Sequence, residues 1–486
     1  MKLSDLIEKT EVKKIIGNIE NIEISAIYDN SKKVKKDGLF VAISGLQVDS
    51  HAFILEAKNN GAVAVVVEKE CDINIPQIIV ENTRIVLSKL AGFFYKDVLS
   101  KLKIISVIGT NGKTTTTHFI KEILLKVGFK VGVIGTSGIF IHNKKLPNKL
   151  TTPDTLDLFL IFEEMVKEKI EVVVMEISAH AIFLHKTDGF ISDIAVFTNI
   201  SPEHLDFFSS MKEYEKVKAS YFTNEFCKTA VINADDKLGK KLLKIKDIPV
   251  FSYSLNSNST LFLKNLKISL NKSAFTLFLK NNKKRISVNI PSLFNIYNLL
   301  AATLTCVILK VSFEKLITIL PKLKLTNGRF KTIKIDENCS VVIDYAHTTL
   351  AVKSVLSHIK NSFFGNIVCV LGSPGSRDHF KRYEMAKVAG EYCSNVIITS
   401  DNPDIENPYI IFKQMQKGIK KTKCNYQIVE DRALSIKHAI LNKKNDEKTI
   451  IVILGKGNET YQIINGICVP YNDEEEVKKI IKRRNI

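Results

Sequence analysis

The sequence predicts an α/β protein of three domains: a small N-terminal α/β domain, a central P-loop-type parallel sheet domain and a C-terminal Rossmann-like domain. Three observations carry this expectation. The chain has 486 residues, 45% of them hydrophobic, which suits about three cores of ordinary domain size. Two long stretches alternate continuous apolar strands with amphipathic helices, the pattern of parallel sheets covered on both faces. Between the first strand and the first helix of the earlier stretch stands Val107-Ile108-Gly109-Thr110-Asn111-Gly112-Lys113-Thr114-Thr115, a glycine-rich turn in the setting that cradles phosphate.

Taken in order, residues 1–102 hold short apolar strands in "LFVAIS", "AVAVVVE" and "PQIIVE", with an amphipathic helix over 52–60. Residues 103–325 read as strand "KIISVIG", a helix from Thr114, "KVGVIG", a helix after Asp154, "EVVVMEIS", "DIAVFTNI", a helix from Met211 and "TAVIN". Near the end of this stretch "SAFTLFLKNNKKRISVNI" reads as a β-hairpin with a polar turn. Residues 326–486 repeat the alternation through "SVVIDYA", "NIVCVLG", "NVIITS", "YQIVE" and "TIIVILG", each followed by a helix except the last. Asn327-Gly328 is the expected hinge before it.

Composition narrows the partners. The net charge is +19, which raises nucleic acid as a ligand. The cations are nevertheless spread along the chain, and "NNKKR" at 281–285 and "KKIIKRRN" near the end read as a solvated turn and a tail. A diffuse positive field suits a small substrate with several phosphates or carboxylates, and no nucleic acid partner is expected. Eight cysteines stand singly, without the paired spacing of a zinc cage or a disulfide framework. No apolar run is long enough to span a bilayer, and "MKLSDLIEKTEVKK" lacks the apolar stretch of a secretion signal. A cytoplasmic protein without membrane insertion is the expectation.

The loop is shorter than the full phosphate-loop pattern, since only Thr110 and Asn111 separate Gly109 from Gly112. Gly109 and Gly112 would let backbone approach an anion, Lys113 would neutralise β- and γ-phosphate charge, and Thr114 or Thr115 would hold magnesium. Glu176, Ser178, His180 and His204 follow the ends of apolar strands, where open α/β sheets place ligands. A carboxylate and an imidazole there can bind a divalent metal, or each can simply cap a turn. Lys218 falls at the centre of the helical stripe made by Met211, Tyr214, Tyr221 and Phe222. Snorkelling is the commoner fate of such a lysine; a desolvated one has a lowered pKa, and its neutral amine can take up carbon dioxide as a carbamate. In the last stretch Asp344, His347, Arg377, Asp378, the segment 400–404 and Gly455-Lys456-Gly457-Asn458-Glu459 follow strand ends on one sheet edge.

These residues resemble the Mur ligases, ATP-dependent enzymes that add amino acids to the peptidoglycan precursor. The resemblance runs through "GTNGKTT", "TTPD", "MEISAH", "TNISPEHLDF", "YEKVKASYF", "NADD", "FNIYNLLAA", "NGRF" and "DYAHTT" in the family's order. "DNSKKVKKDGLFVAISG", "SDNP" and "GKGNETYQ" are similar to the tripeptide synthetase branch, which joins a diamino acid to UDP-N-acetylmuramoyl-L-alanyl-D-glutamate.

The resemblance implies roles. Gly109, Thr110, Asn111, Gly112, Lys113, Thr114 and Thr115 would surround the ATP phosphates, with Asn298, Arg329, Asp344 and His347 completing the nucleotide site. Thr114, Glu176, His204 and a carbamylated Lys218 would hold magnesium. Ser31, Thr151, Thr152, Ser178 and Lys186 would bind the UDP-muramoyl dipeptide, and Arg377, Asp401, Asn402, Asp404, Gly455 and Glu459 the amino acid. Residues 1–102, 103–325 and 326–486 would then be the UDP-precursor, ATP and amino-acid domains of a monomer serving cell-wall biogenesis, cell shape and division. The D-glutamyl carboxylate would receive the γ-phosphate as an acyl phosphate, which the amino acid's amine attacks.

Three positions depart from the pattern. Asp404 stands where enzymes selecting meso-diaminopimelate typically have Arg, which favours L-lysine, with diaminopimelate, ornithine and lanthionine as alternatives. Lys186 and Lys32 stand where Arg is usual and lose bidentate geometry. The rival readings are a folylpolyglutamate synthetase-like ligase, whose loop typically has Gly-Lys-Gly-Ser, and a P-loop nucleic-acid-dependent ATPase.

Overall fold

The computed structural model describes residues 1–484 apart from 46–47, 149, 257, 327, 377–378 and 444–446. Three large sheets follow one another along the chain. The first has five strands in the order Lys14–Ile16, Gln77–Ile79, Ala62–Val67, Gly38–Val41, Ala26–Tyr28, parallel except for Lys14–Ile16 at its edge. The expected helix over 52–60 is Ile54–Asn59, entered through a 3₁₀ turn at Ser50–Phe53.

The second sheet has eleven strands. Lys103–Ile108 lies between Val172–Ile177 and Ile194–Phe197, parallel to both. Every residue of Val172–Ile177 and Ile194–Phe197 is buried, as continuous apolar strands beneath helices on both faces require. Ser273–Leu279 and Asn282–Val288 form the expected hairpin and extend this sheet at one edge. Ser273, Phe275, Leu277 and Leu279 are buried in strict alternation, so here only one face packs on the core. "FNIYNLLAA" lies in the helix Leu293–Ile308, which packs against the helix Lys113–Lys126 that follows the phosphate loop.

The third sheet runs Lys331–Lys334, Cys339–Asp344, Thr449–Leu454, Asn366–Leu371, Asn395–Ile398, Asn425–Ile428, with only the first strand antiparallel. Two features differ from the expectation. Tyr461–Ile464 and Ile467–Pro470 form a further hairpin. The basic end of the chain is not a solvated tail: Asp473–Arg484 is a helix whose Val477 and Ile480 pack with Ile436 and Ile440. Its apolar residues recur at helical spacing, and its acidic first turn suits the positive end of the helix dipole.

The first and second units share one apolar cluster in which Leu87 and Leu90 join Phe159 and Phe162. Gly92 and Gly189 permit this approach, because a Cβ on Gly92 would strike the Gly189 carbonyl and one on Gly189 would strike that of Ser88. Five of the eight cysteines are buried and all eight are free thiols.

Candidate active site

The phosphate loop is built from its neighbours as much as from its own glycines. Gly112 has φ 88° and Gly109 φ 153°, and a Cβ at either would collide with Asn298 or Thr198 respectively. Asn199 and Thr198, just after the adjacent strand, hold the loop. Asn199 O accepts from Thr110 N at 2.9 Å and Asn199 Oδ1 from Asn111 N at 3.0 Å, while Thr198 Oγ1 donates to Asn111 O at 2.8 Å. Lys113 Nζ curls over the loop and donates to Gly109 O and Thr110 O, both at 2.9 Å. Thr114 and Thr115 open the helix, with Thr115 buried.

Lys218 is brought to the same loop. The helix Met211–Ser220 starts at Ser210, whose Oγ accepts from Glu213 N at 3.2 Å. It turns Tyr214 and Lys218 inward. Lys218 is 1% exposed; its Nζ donates to Thr110 Oγ1 at 3.0 Å and lies 4.1 Å from the Tyr214 ring centroid. Burial, then the charge of Lys113, push its ammonium well below the ordinary lysine value, against the pull of Glu203 and Asp236.

His204 and Glu203 occupy the wall beside it. His204 has φ 58°, a left-handed conformation unusual for a non-glycine residue and one that tends to mark functional sites. Its Nε2 is 3.8 Å from Glu203 Oε2, and its ring meets that of His180 with centroids 4.7 Å apart. Burial first, then the neighbouring His180, Lys113 and Lys218, lower its pKa to about 4 despite Glu203. The imidazole is therefore neutral near pH 7.

Glu176 is the penultimate residue of its strand, opposite Val107 of the loop strand, and is 1% exposed. Thr136 fixes its carboxylate, donating from N to Oε1 at 3.0 Å and from Oγ1 to Oε2 at 3.1 Å. Thr136 Oγ1 also meets Thr151 Oγ1 at 3.1 Å, while Thr152 Oγ1 donates to Glu176 O and accepts from Ser178 N, both at 3.0 Å. Glu176, Thr151, Thr152 and Ser178 are thus one bonded cluster, joined to the His204 wall through His180. Among the described residues no three His, Cys, Asp or Glu side chains form a metal cage. Magnesium does not require one, because it takes one or two carboxylates and completes its shell with water and phosphate oxygens. The hard oxygens of Glu176 and Thr114 beside a phosphate loop fit that ion.

Lys186 is ion-paired with Asp154 and lines a cavity of about 190 Å³ with Asp29, Arg84 and Leu184. Burial, then Asp157, raise the pKa of Asp29 above the usual carboxylate value. Ser31 is buried in the first unit with its hydroxyl on Glu56.

In the third unit Asp344 Oδ2 accepts from Phe330 N at 2.7 Å and Oδ1 from Ala346 N at 2.9 Å, so its carboxylate ties the turn after its strand to the "NGRF" segment. Arg329 stacks on Tyr345 at 4.5 Å. His347 Nε2 reaches Glu203 Oε1 at 3.4 Å, and Asn298 is buried against Gly112. Asn402 Nδ2 donates to Glu459 Oε2 at 3.1 Å, and Asp401 is buried beneath Gly455. Asp404 N donates to Ile463 O at 3.0 Å, which anchors it beside the hairpin. Arg377 and Asp378, and Asn327 of the expected hinge, lie outside the described residues. Gly328, its neighbour, packs against Gly457 and Asn458.

Five residues of this arrangement carry no assigned role in the sequence reading: Thr136, Asn199, Glu203, Tyr214, which enters it only as part of the apolar stripe around Lys218, and Lys456, which enters it only within the segment after the last strand. Glu203 and Asn199 sit inside "TNISPEHLDF", Tyr214 lies one turn before Lys218, and Lys456 stands between two glycines, so a motif-wide reading had signal for four of the five. Thr136 had none.

Residues 107–306 match the Mur ligase middle domain, residues 328–457 the Mur ligase glutamate ligase domain, and residues 23–95 the Mur ligase family catalytic domain. A UDP-N-acetylmuramoyl-L-alanyl-D-glutamate–2,6-diaminopimelate ligase of Caldanaerobacter subterraneus subsp. tengcongensis is 39% identical over 99% of both chains. A solved structure of an enzyme with the same name superposes with a TM-score of 0.73, at 28% identity, over 100% of this chain and 99% of its own. A MurF ligase from Thermotoga maritima in complex with ADP has a TM-score of 0.63 at 19% identity, covering 96% of this chain and 100% of its own, and shares the fold.

Proposed function

From the premise that the chain belongs to the Mur ligase family, and is a ligase of ATP-dependent type, we propose that it joins a diamino acid to UDP-N-acetylmuramoyl-L-alanyl-D-glutamate during peptidoglycan precursor synthesis. The amino acid we favour is 2,6-diaminopimelate, because whole-length relatives at 33–39% identity carry that substrate in their names. This replaces the preference for L-lysine drawn from Asp404. An acidic Asp404 cannot pair with a distal carboxylate, so another cation of the third unit meets it on this reading.

The observation that carries the proposal is Lys218: a lysine buried against the phosphate loop, bonded to Thr110 and held well below its ordinary pKa by burial and Lys113. A cation placed there for structure alone would be costly; a neutral amine that becomes a carbamate would supply an anionic metal ligand. Magnesium held by Thr114, Glu176, His204 and carbamylated Lys218 would supply charge neutralisation between the anionic reactants.

The chain's own groups do the rest. The N–H groups where the loop enters the Lys113–Lys126 helix, with Lys113, hold the phosphates of ATP, and Asn298, Arg329, Asp344 and His347 border the nucleotide. Thr151, Thr152, Ser178 and Lys186, with Ser31 in the first unit, hold the muramoyl dipeptide so that its D-glutamyl carboxylate faces the γ-phosphate. Transfer makes an acyl phosphate, a better electrophile than a carboxylate. Arg377, Asp401, Asn402, Asp404, Gly455 and Glu459 bring up the amine, which expels phosphate and forms the amide; fixing the partners in one cleft raises their effective molarity. Residues 1–102, 103–325 and 326–486 are on this reading the UDP-precursor, ATP and amino-acid domains of a cytoplasmic monomer. Among the described residues no helix is long and apolar enough to cross a membrane.

The test is phosphate release and amide formation from UDP-muramoyl dipeptide and ATP, with diaminopimelate, lysine, ornithine or lanthionine supplied singly. Product with diaminopimelate is expected. No amide with any of the four defeats the reading, and product with lysine alone defeats the choice of amino acid.

A further inference from the structure

Lys456 is fully buried, yet the reaction described above gives it no part. Its Nζ donates to Asn402 Oδ1 and to Glu459 Oε2, both at 2.8 Å, and lies 4.0 Å from Asp401 Oδ1. Asn402 closes the ring by donating from Nδ2 to Glu459 Oε2 at 3.1 Å, while its Oδ1 also accepts from Ile463 N at 3.1 Å. Glu459 Oε1 faces the Tyr345 hydroxyl at 3.4 Å. The ammonium therefore joins the segment after Asn395–Ile398, through Asn402, to that after Thr449–Leu454, through Glu459, and Glu459 extends the link to Tyr345 after Cys339–Asp344. Gly455, at φ 114°, allows the turn, and a Cβ on it would strike the Asp401 carboxylate.

Two carboxylates, Asp401 and Glu459, stand around this cation, and Asp404 lies close by in sequence. Without Lys456 they would repel one another and any amino acid bearing carboxylate groups, and Glu459 would lose its strongest partner. A buried lysine so committed cannot itself reach out to substrate.

We propose that Lys456 is a positioning residue for the amino-acid pocket: it holds Asn402 and Glu459 in the geometry that receives the incoming amino acid and offsets one of the two negative charges that would oppose its carboxylate. This rests on the ligase reading above.

The experiment compares wild type with Lys456→Gln, which keeps a hydrogen-bond donor but removes the charge, and Lys456→Arg, which keeps the charge. KM is measured for the amino acid the wild type incorporates, for ATP and for the muramoyl dipeptide. Lys456→Gln is expected to raise the amino-acid KM about tenfold or more, equivalent to about 1.4 kcal/mol, with the other two KM values within about twofold and a smaller fall in kcat. Lys456→Arg is expected to recover most of the loss. Parallel rises in all three KM values, a fall in kcat alone, or wild-type behaviour of Lys456→Gln overturns the proposal. If neither variant folds, Lys456 serves folding alone and the proposal is likewise overturned. A wild type that makes no amide would instead defeat the ligase reading itself.

Discussion

Glu203 Oε1 lies 3.4 Å from His347 Nε2, a contact between the wall of the phosphate-loop site and the segment after Cys339–Asp344. Thr348 Oγ1 adds a second, donating to Asn111 Oδ1 at 3.3 Å. Burial opposes ionisation of Glu203, but the hydrogen bond and charge of His347, then the charges of His204 and Lys113, hold its carboxyl well below the ordinary range. The third unit thus closes on the second through a carboxylate that stays ionised. Glu203→Gln removes that charge and is expected to lower kcat about tenfold while Tm changes little, the signature of impaired closure. Steady-state kinetics and a thermal melt check it; unchanged kcat would show that closure does not depend on the pair.

His204 makes acid stability readable. Its folded pKa of about 4 lies below the ordinary 6.5, so between those values the unfolded chain binds a proton that the folded chain refuses. Stability from this group is therefore present above about pH 6.5 and declines as the pH falls toward 4. His204→Asn keeps a residue tolerant of the left-handed backbone and is expected to flatten the fall of Tm across that interval. Melts of both proteins over the interval decide it, identical slopes assigning the acid sensitivity to other groups.

Lys218 separates chemistry from stability. Lys218→Ala is expected to lose ligation by about a hundredfold or more, the scale of a lost electrostatic contact in phosphoryl transfer. Added short carboxylic acids are expected to restore part of it by standing in for the carbamate. Lys218→Met, which removes a buried amine and fills its volume, is expected to leave Tm no lower than in wild type. Full activity of Lys218→Ala would end the carbamate proposal.

Arg432 and Asp473 test the third unit. Arg432 Nε and one terminal nitrogen donate to the two Asp473 oxygens, each at 2.8 Å, and both residues are almost wholly buried. Arg432→Met strands the carboxylate and is expected to cost about 3–5 kcal/mol, whereas adding Asp473→Leu recovers most of it. Denaturant melts of the single and double variants measure the difference; additive losses would mean that the pair contributes no coupling.

Much of the fold was legible because it is local. Continuous apolar strands such as "EVVVMEIS" and the alternation in "SAFTLFL" announce how many faces a strand buries, and each was found in its expected sheet. The last helix was not, because its nine charged residues mask the three apolar ones that dock. At the site, the glycine-rich turn and the place of Lys218 on the apolar stripe followed from spacing alone, whereas its burial, in place of the commoner snorkelling, did not.

What the sequence by itself determined, then, is the set of elements, the phosphate loop between strand and helix, and the helical face that carries Lys218, since each depends on residues within a few turns of one another. Which groups meet was decided by the tertiary structure. Glu203 finds His347 across 144 positions of chain, and Lys456 finds Asn402 across 54, because sheet order and close packing of the units set those distances. The depressed pKa values of His204 and Lys218 belong to the same level: burial and neighbouring charge create them, and both exist only once the chain has folded.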